Sequence, residues 1–196
     1  SLPEIAAAAV KIYGHIDLII HSGGVSQRSL ALETDLLVAQ RIMDINFWGT
    51  VALTQAILPE MINRNSGQIV VISSLVGKFG TKFRSVYSAS KHALHGYFDS
   101  LRTEITPDIK ITIVCPGFIK TNVTYNALTA DGSRQNSMDE AQANGMAAGE
   151  CAEEIMKAIE AGKREVYIGG REKYGVLFKR LFPGLFMKMI RNAKVT

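Results

Sequence analysis

Three short apolar runs, rich in β-branched residues and each ending in small residues, constrain this chain most. Ile16-Asp17-Leu18-Ile19-Ile20 leads into His21-Ser22-Gly23-Gly24. Gln68-Ile69-Val70-Val71-Ile72 leads into Ser73-Ser74, and Ile111-Thr112-Ile113-Val114-Cys115 leads into Pro116-Gly117. Such runs fit strands of a parallel sheet covered on both faces. The stretches between them predict helices at about 35–63 and 85–105, after a first helix ending near Tyr13. A further helix is expected over 150–161 and a last strand over 165–168. Strands alternating with helices give an α/β fold, a doubly wound parallel sheet. In such sheets ligands bind in the crevice at the carboxyl ends of the strands, and small residues there let a ligand approach the backbone.

Tyr87-Ser88-Ala89-Ser90-Lys91 lies on the helix after the second strand, thirteen positions beyond Ser74. Residues four apart share a helix face, so Lys91 brings an ammonium near the phenol of Tyr87. A free phenol titrates near 10, and a nearby cation lowers that value towards efficient proton transfer at neutral pH. Ser74 supplies a hydroxyl that can hold a substrate oxygen beside the phenol. Together the three suit proton transfer to or from a carbonyl or alcohol oxygen. Alone, the Tyr-x-x-x-Lys pattern is also met by a packed tyrosine beside a solvated lysine. Its setting at a strand end favours the chemical reading.

The chain resembles the short-chain dehydrogenase/reductase family, of the single-domain Rossmann type. The resemblance rests on His21-Ser22-Gly23-Gly24, on Asn46 in Asn46-Phe47-Trp48-Gly49-Thr50, on Ser73-Ser74 with Gly77, on Tyr87 to Lys91, and on Pro116-Gly117 followed by Thr121. Val25-Ser26-Gln27-Arg28-Ser29 and Ile168-Gly169-Gly170-Arg171 resemble the membrane-associated dehydrogenase/reductases and their bacterial relatives. The resemblance implies an NAD(P)-dependent oxidoreductase interconverting a carbonyl and an alcohol by hydride transfer, with NADP favoured over NAD. Tyr87 would be the general acid or base. Lys91 would lower its pKa and hold the nicotinamide ribose. Ser74 would orient the carbonyl, and Asn46 would hold a water that relays protons through Lys91. His21, Ser22, Gly23, Pro116, Gly117, Ile119 and Thr121 would contact cofactor together with Tyr87 and Lys91. The substrate would be a small carbonyl or alcohol compound of lipophilic character, and the family's helix contacts imply a homodimer or homotetramer.

Two departures stand out. His21 occupies the place of the family's usual Asn, which ties neighbouring strands and lies beside the adenosine ribose. His21 can donate and accept hydrogen bonds, so it is expected to take over that role. The family's first two βα units, with the Gly-rich turn that cradles the pyrophosphate, are not found before Ser1. At about 30 residues per βαβ unit, that is on the order of 60 residues. The Ile16–Ile20 strand is therefore expected at an open sheet edge. The same gap supports a rival reading, a non-catalytic dinucleotide-binding or scaffold protein with an incomplete cofactor site.

The 196 residues read as one domain, with 47% hydrophobic residues to fill a covered sheet. Its two cysteines form no disulfide framework. No metal-ligand spacing and no nucleic-acid motif is found. Residues 122–150, polar and rich in Ala and Gly, correspond to the family's substrate loop and are expected to be poorly ordered without ligand. The tail 173–196 mixes Leu177, Phe178, Leu181, Phe182, Leu185, Phe186, Met189 and Ile190 with Lys179, Arg180, Lys188 and Arg191. It reads either as a helix pair packed on the subunit or its partner, or as peripheral membrane contact through 173–194. No stretch is long and apolar enough to span a bilayer. A cytoplasmic location with membrane association is the expectation that follows.

Overall fold

The computed structural model of the chain describes residues 2–193. Helix α1 (Leu2–Tyr13) leads into strand β1 (Leu18–His21). Helix α2 (Leu36–Met43) continues through a π turn, Asp44–Trp48, into α3 (Gly49–Arg64). Strand β2 (Gly67–Ile72), helix α4 (Ser85–Glu104) and strand β3 (Ile109–Pro116) follow. Next come β4 (Ile119–Lys120), α5 (Glu140–Ala143), β5 (Met146–Ala147), α6 (Ala148–Glu160) and β6 (Glu165–Ile168). Helices α7 (Gly175–Leu181) and α8 (Pro183–Asn192) close the chain; Ser1 and the tail residues 194–196 lie outside the described residues.

The main sheet has strand order β1-β2-β3-β6, all parallel, as a Rossmann-type sheet requires. Alternation along the strands sends Ile19, Ile69, Val71, Ile111 and Ile113 to one face. There they meet Ala6 of α1, Ile57 and Met61 of α3, and Leu94 and Phe98 of α4. Burying each such side chain contributes about 1.5–3 kcal/mol. Val70, Val114 and Ile168 face the other way, against Cys151 and Ile159 of α6. β1 is an edge strand, as expected, and Leu18 and Ile20 on that second face are 37% and 43% exposed.

Two expectations need correction. The helix expected over 35–63 is broken by the π turn, in which the Gly49 amide donates to the Asp44 carbonyl. Such insertions concentrate at functional sites, and this one carries Asn46. The strand expected from Ile16 starts at Leu18. Within 122–150 the chain makes defined contacts. β4 pairs with β5, Leu128 bridges to Gln27 and Arg134, and Asp139 is buried. Its anchors are polar partners far away in sequence, which no local periodicity reveals.

Candidate active site

Ser74 follows β2 in an extended conformation and accepts the Val76 amide, opening a 3₁₀ turn over Leu75–Gly77. That turn lies hard against α4. A Cβ on Gly77 would stand 2.6 Å from Ser73 Oγ and 3.1 Å from the Lys91 carbonyl, so only glycine fits without displacement. Tyr87 and Lys91 sit one turn apart on α4, with Lys91 Nζ 5.8 Å from the Tyr87 ring centroid. Ser74, Tyr87 and Lys91 line a single cavity of about 950 Å³ at the carboxyl edge of the sheet. Ser22, Gly23, Pro116, Gly117, Ile119 and Thr121 line it too, so three strand ends meet there.

The electrostatics differ from the simple pairing. Burial pushes the Tyr87 phenol up, and the Ser74 hydroxyl, Arg84 and Arg28 oppose that rise. Lys91 is 4% exposed, and burial pushes its amine down to about 8. Its Nζ donates to the Ile72 carbonyl at 2.9 Å.

Asn46 and His21 lie behind the cavity wall. Asn46 is fully buried; its Oδ1 accepts the Val25 amide at 2.8 Å, and its Nδ2 donates to the Val25 carbonyl and to Ser90 Oγ, both at 2.9 Å. It thereby ties the turn after β1 to the helix turn between Tyr87 and Lys91. His21 shares the face of Ile19, because side chains alternate along β1. Its Nε2 stands 2.9 Å from Thr54 Oγ1 of α3, and burial pushes the ring down to about 4. The imidazole thus points into the helix layer.

Two groups escaped the sequence reading. Arg28 and Arg84 share the buried carboxylate of Asp139 on the cavity's flank. Arg28 stood in a quoted motif without a role, and nothing local links it to residue 139. Behind the other wall, Ser73 Oγ lies 3.1 Å from His95 Nε2, and His95 Nδ1 lies 3.3 Å from Glu165 Oε2. Among the described residues, His95, Cys115 and Glu165 are the group whose donor atoms could gather about a metal, within 4.8 Å of one another. Lys78 Nζ already neutralises Glu165 at 2.5 Å, and burial pushes the Cys115 thiol up, so a cation meets poor ligands there.

Comparison with known proteins accords with this geometry. The sequence model described as short chain dehydrogenase matches residues 1–132. The chain is 42% identical over 193 residues to the mouse dehydrogenase/reductase SDR family member 7B, an alignment covering 96% of this chain and 60% of that protein. It spans about 60% of the length of that curated relative. Among solved structures, a short chain dehydrogenase from Burkholderia cenocepacia in complex with NADP superposes with a TM-score of 0.80 at 23% identity, covering 97% of this chain and 75% of the other. A Burkholderia phymatum short chain dehydrogenase/reductase in complex with NAD gives 0.79 at 18% identity, covering 100% and 74%. These two likenesses speak to fold. Taken with the strand-end cavity and its Ser, Tyr and Lys, the sequence matches place this chain in the short chain dehydrogenase family of oxidoreductases.

Proposed function

We propose that this chain carries the reacting centre of an NAD(P)-dependent oxidoreductase that interconverts a carbonyl and an alcohol. The observation that carries the reading is the convergence of Ser74, Tyr87 and Lys91 on one cavity with the Pro116–Thr121 segment. The residues present suit the nicotinamide end of a dinucleotide. Lys91 brings a cationic donor, Pro116 and Gly117 bring a small-residue strand end, and the Cβ position of Gly23 is open, with nothing within 4 Å. When bound, the dinucleotide supplies or accepts the hydride. Structural neighbours bind NAD in one case and NADP in another, and either form is kept here.

In reduction, Ser74 Oγ holds the carbonyl oxygen and Tyr87 Oη gives it a proton as negative charge develops; in oxidation Tyr87 takes that proton back. Lys91 holds the ribose and stays close enough to Tyr87 to favour the phenolate. Asn46 acts by fixing the Val25 backbone and Ser90 beside these groups, which is where a relaying water would lie. Part of the remaining wall is apolar, with Phe79, Phe178, Phe186 and Ile190 on it, which supports a lipophilic substrate.

Exposed Leu36, Leu37, Ile45 and Trp48 on α2 and the π turn support self-association. On α7 and α8, exposed Leu177, Leu181, Phe182 and Leu185 beside Lys179, Arg180 and Lys188 support contact with an anionic membrane surface. No helix among the described residues is long and apolar enough to cross a membrane.

The test is Tyr87→Phe, assayed with NADH and NADPH against a panel of long-chain aliphatic and aryl ketones. Loss of about 10²–10⁴-fold in turnover, with the fold retained, is expected of a general acid or base. Unchanged turnover, or no turnover by either protein with any ketone or alcohol, would favour a binding protein instead.

A further inference from the structure

The ladder between β3 and β6 ends at Pro116 beside Ile168, and one further bond, from the Gly117 amide to the Ile168 carbonyl at 2.7 Å, closes it. Beyond that bond the two chains part. One runs through Phe118 into β4. The other passes through Gly169 and Gly170 into a 3₁₀ turn, Arg171–Tyr174, that feeds α7 directly. A fork of this kind leaves backbone amides that no strand partner can take. Glu172 fills it. Its Oε1 accepts the Phe118 amide at 3.2 Å from one branch and the Gly170 amide at 3.0 Å from the other.

Three glycines make room for that carboxylate. A Cβ on Gly117 would collide with Glu172 Oε1. On Gly169 it would stand 2.5 Å from the same oxygen, and on Gly170 2.8 Å from Oε2. Gly169 also has a φ of 141°, which residues with a side chain rarely adopt. Phe118 is held on its other side as well. Its carbonyl accepts the Met146 amide at 2.9 Å, and Gln142 Nε2 donates to the Ile119 carbonyl. Both groups bound by Glu172 are neutral backbone amides. What they require of residue 172 is an acceptor at that reach, not a charge.

We propose that Glu172 is a positioning residue that sets the Pro116–Ile119 backbone for the nicotinamide end of the dinucleotide. Pro116, Gly117, Phe118 and Ile119 line the cavity together with Ser74 and Tyr87. The proposal rests on the reading of that cavity as a dinucleotide site, and it gives Glu172 no part in proton or hydride transfer. Glu172 acts through Phe118. With its amide tied to Oε1, the peptide between Gly117 and Phe118 is held from turning. The rim is then formed before the cofactor arrives, and binding does not have to order it. The same side chain stands just before α7, which brings Phe178 to the cavity wall. The cofactor's rim and the substrate's wall thus hang from one carboxylate.

The test separates reach from charge. Glu172→Gln keeps an oxygen at the same reach without the charge. Glu172→Asp keeps the charge and draws the carboxylate back by one methylene. Glu172→Ala removes both. Affinities for NADH and NADPH are read by fluorescence titration, and hydrogen exchange at the Phe118 and Gly170 amides by NMR on the nucleotide-free protein. Glu172→Ala and Glu172→Asp should both speed exchange at these amides and weaken nucleotide binding by about tenfold, the factor one hydrogen bond commonly carries. Glu172→Gln should bring both readouts back to within about threefold of the original. A tie that only stabilises the fold would lower the unfolding midpoint and leave the nucleotide affinity of the folded protein alone, and that result overturns the proposal. So does the reverse order, Asp near the original and Gln near Ala, which would assign a role to the charge. Should Glu172→Ala fail to fold, the order of Asp and Gln still decides. Faster exchange with unchanged affinity overturns the positioning role alone. An original protein that binds neither nucleotide overturns the dinucleotide reading, and the proposal falls with it.

Discussion

Gln27 Oε1 accepts the backbone amide of Tyr87 at 3.1 Å, so a residue sixty positions earlier caps the helix that presents the phenol. The first amides of a helix have no partner within it, and Arg84 at the N-cap position offers no side-chain bond to them. Gln27 is fully buried and spends its amide nitrogen on Ser29 Oγ and Thr34 Oγ1 at 3.1 and 2.9 Å. Leucine has similar bulk and none of these bonds. Gln27→Leu is expected to cost about 1–3 kcal/mol in denaturant unfolding, since it strands buried donors. A loss within about 0.3 kcal/mol would mean that water or a rearranged loop satisfies those amides.

His21 predicts a pH dependence. Unfolded, its ring titrates near 6.5; folded, burial holds it at about 4. A folded value below the unfolded one means that protonation favours unfolding. Stability is full above about 6.5 and falls as the pH drops towards 4, by up to about 3 kcal/mol over that window. His21→Asn removes the titrating group and keeps a donor and acceptor for Thr54. Thermal unfolding of the variant should lose that slope between pH 6.5 and 4. Parallel curves for the two proteins would show that the ring is hydrated.

The sheet was legible because fully apolar runs such as Ile111–Cys115 tolerate few other placements, and the structure puts Ile113, Val114 and Cys115 at 0% exposure. Ser74, Tyr87 and Lys91 were legible because spacing on a helix and at a strand end translates directly into proximity. The partner of His21 was not legible: its motif position was weighed, while the alternation that sends it towards Thr54 was not. Arg28, Arg84 and Asp139 could not be paired from sequence. Arg28 and Asp139 stand 111 positions apart, and a lone arginine or aspartate carries no periodic signal. The π turn at Asn46 was also hidden, since one extra residue in a long amphipathic run barely disturbs its pattern.

Glu165 gives a second pH test, in the acid range. Burial alone would raise its carboxyl, but hydrogen bonds from His95, Lys78 and Tyr167 hold it at about 2. A depressed folded value contributes stability above the unfolded value near 4.5, lost as the pH falls through 2. Glu165→Gln should therefore be less stable than the original at pH 7, with the gap closing between pH 4.5 and 2. A gap that stays constant down to pH 2 would assign the loss to packing instead of charge.

The last prediction concerns the C-terminal helices, where two consecutive residues of α8 meet opposite environments. Phe186 is 1% exposed, packs against Phe79 with ring centroids 5.1 Å apart, and forms part of the cavity wall. Its neighbour Leu185 is 57% exposed and faces away. Truncating a buried phenylalanine removes its transfer free energy and leaves a void, so Phe186→Ala should cost about 3–5 kcal/mol. It should also raise KM for an apolar ketone more than it lowers kcat, because in the proposed function the wall would meet the substrate's tail and not its reacting carbon. Leu185→Ala should stay within about 0.5 kcal/mol and leave both constants unchanged. Denaturant unfolding and steady-state kinetics on the pair decide the matter. If Leu185→Ala proves as damaging as Phe186→Ala in dilute solution, the exposed face of α8 is covered by a second copy, and the cavity wall is not what distinguishes them.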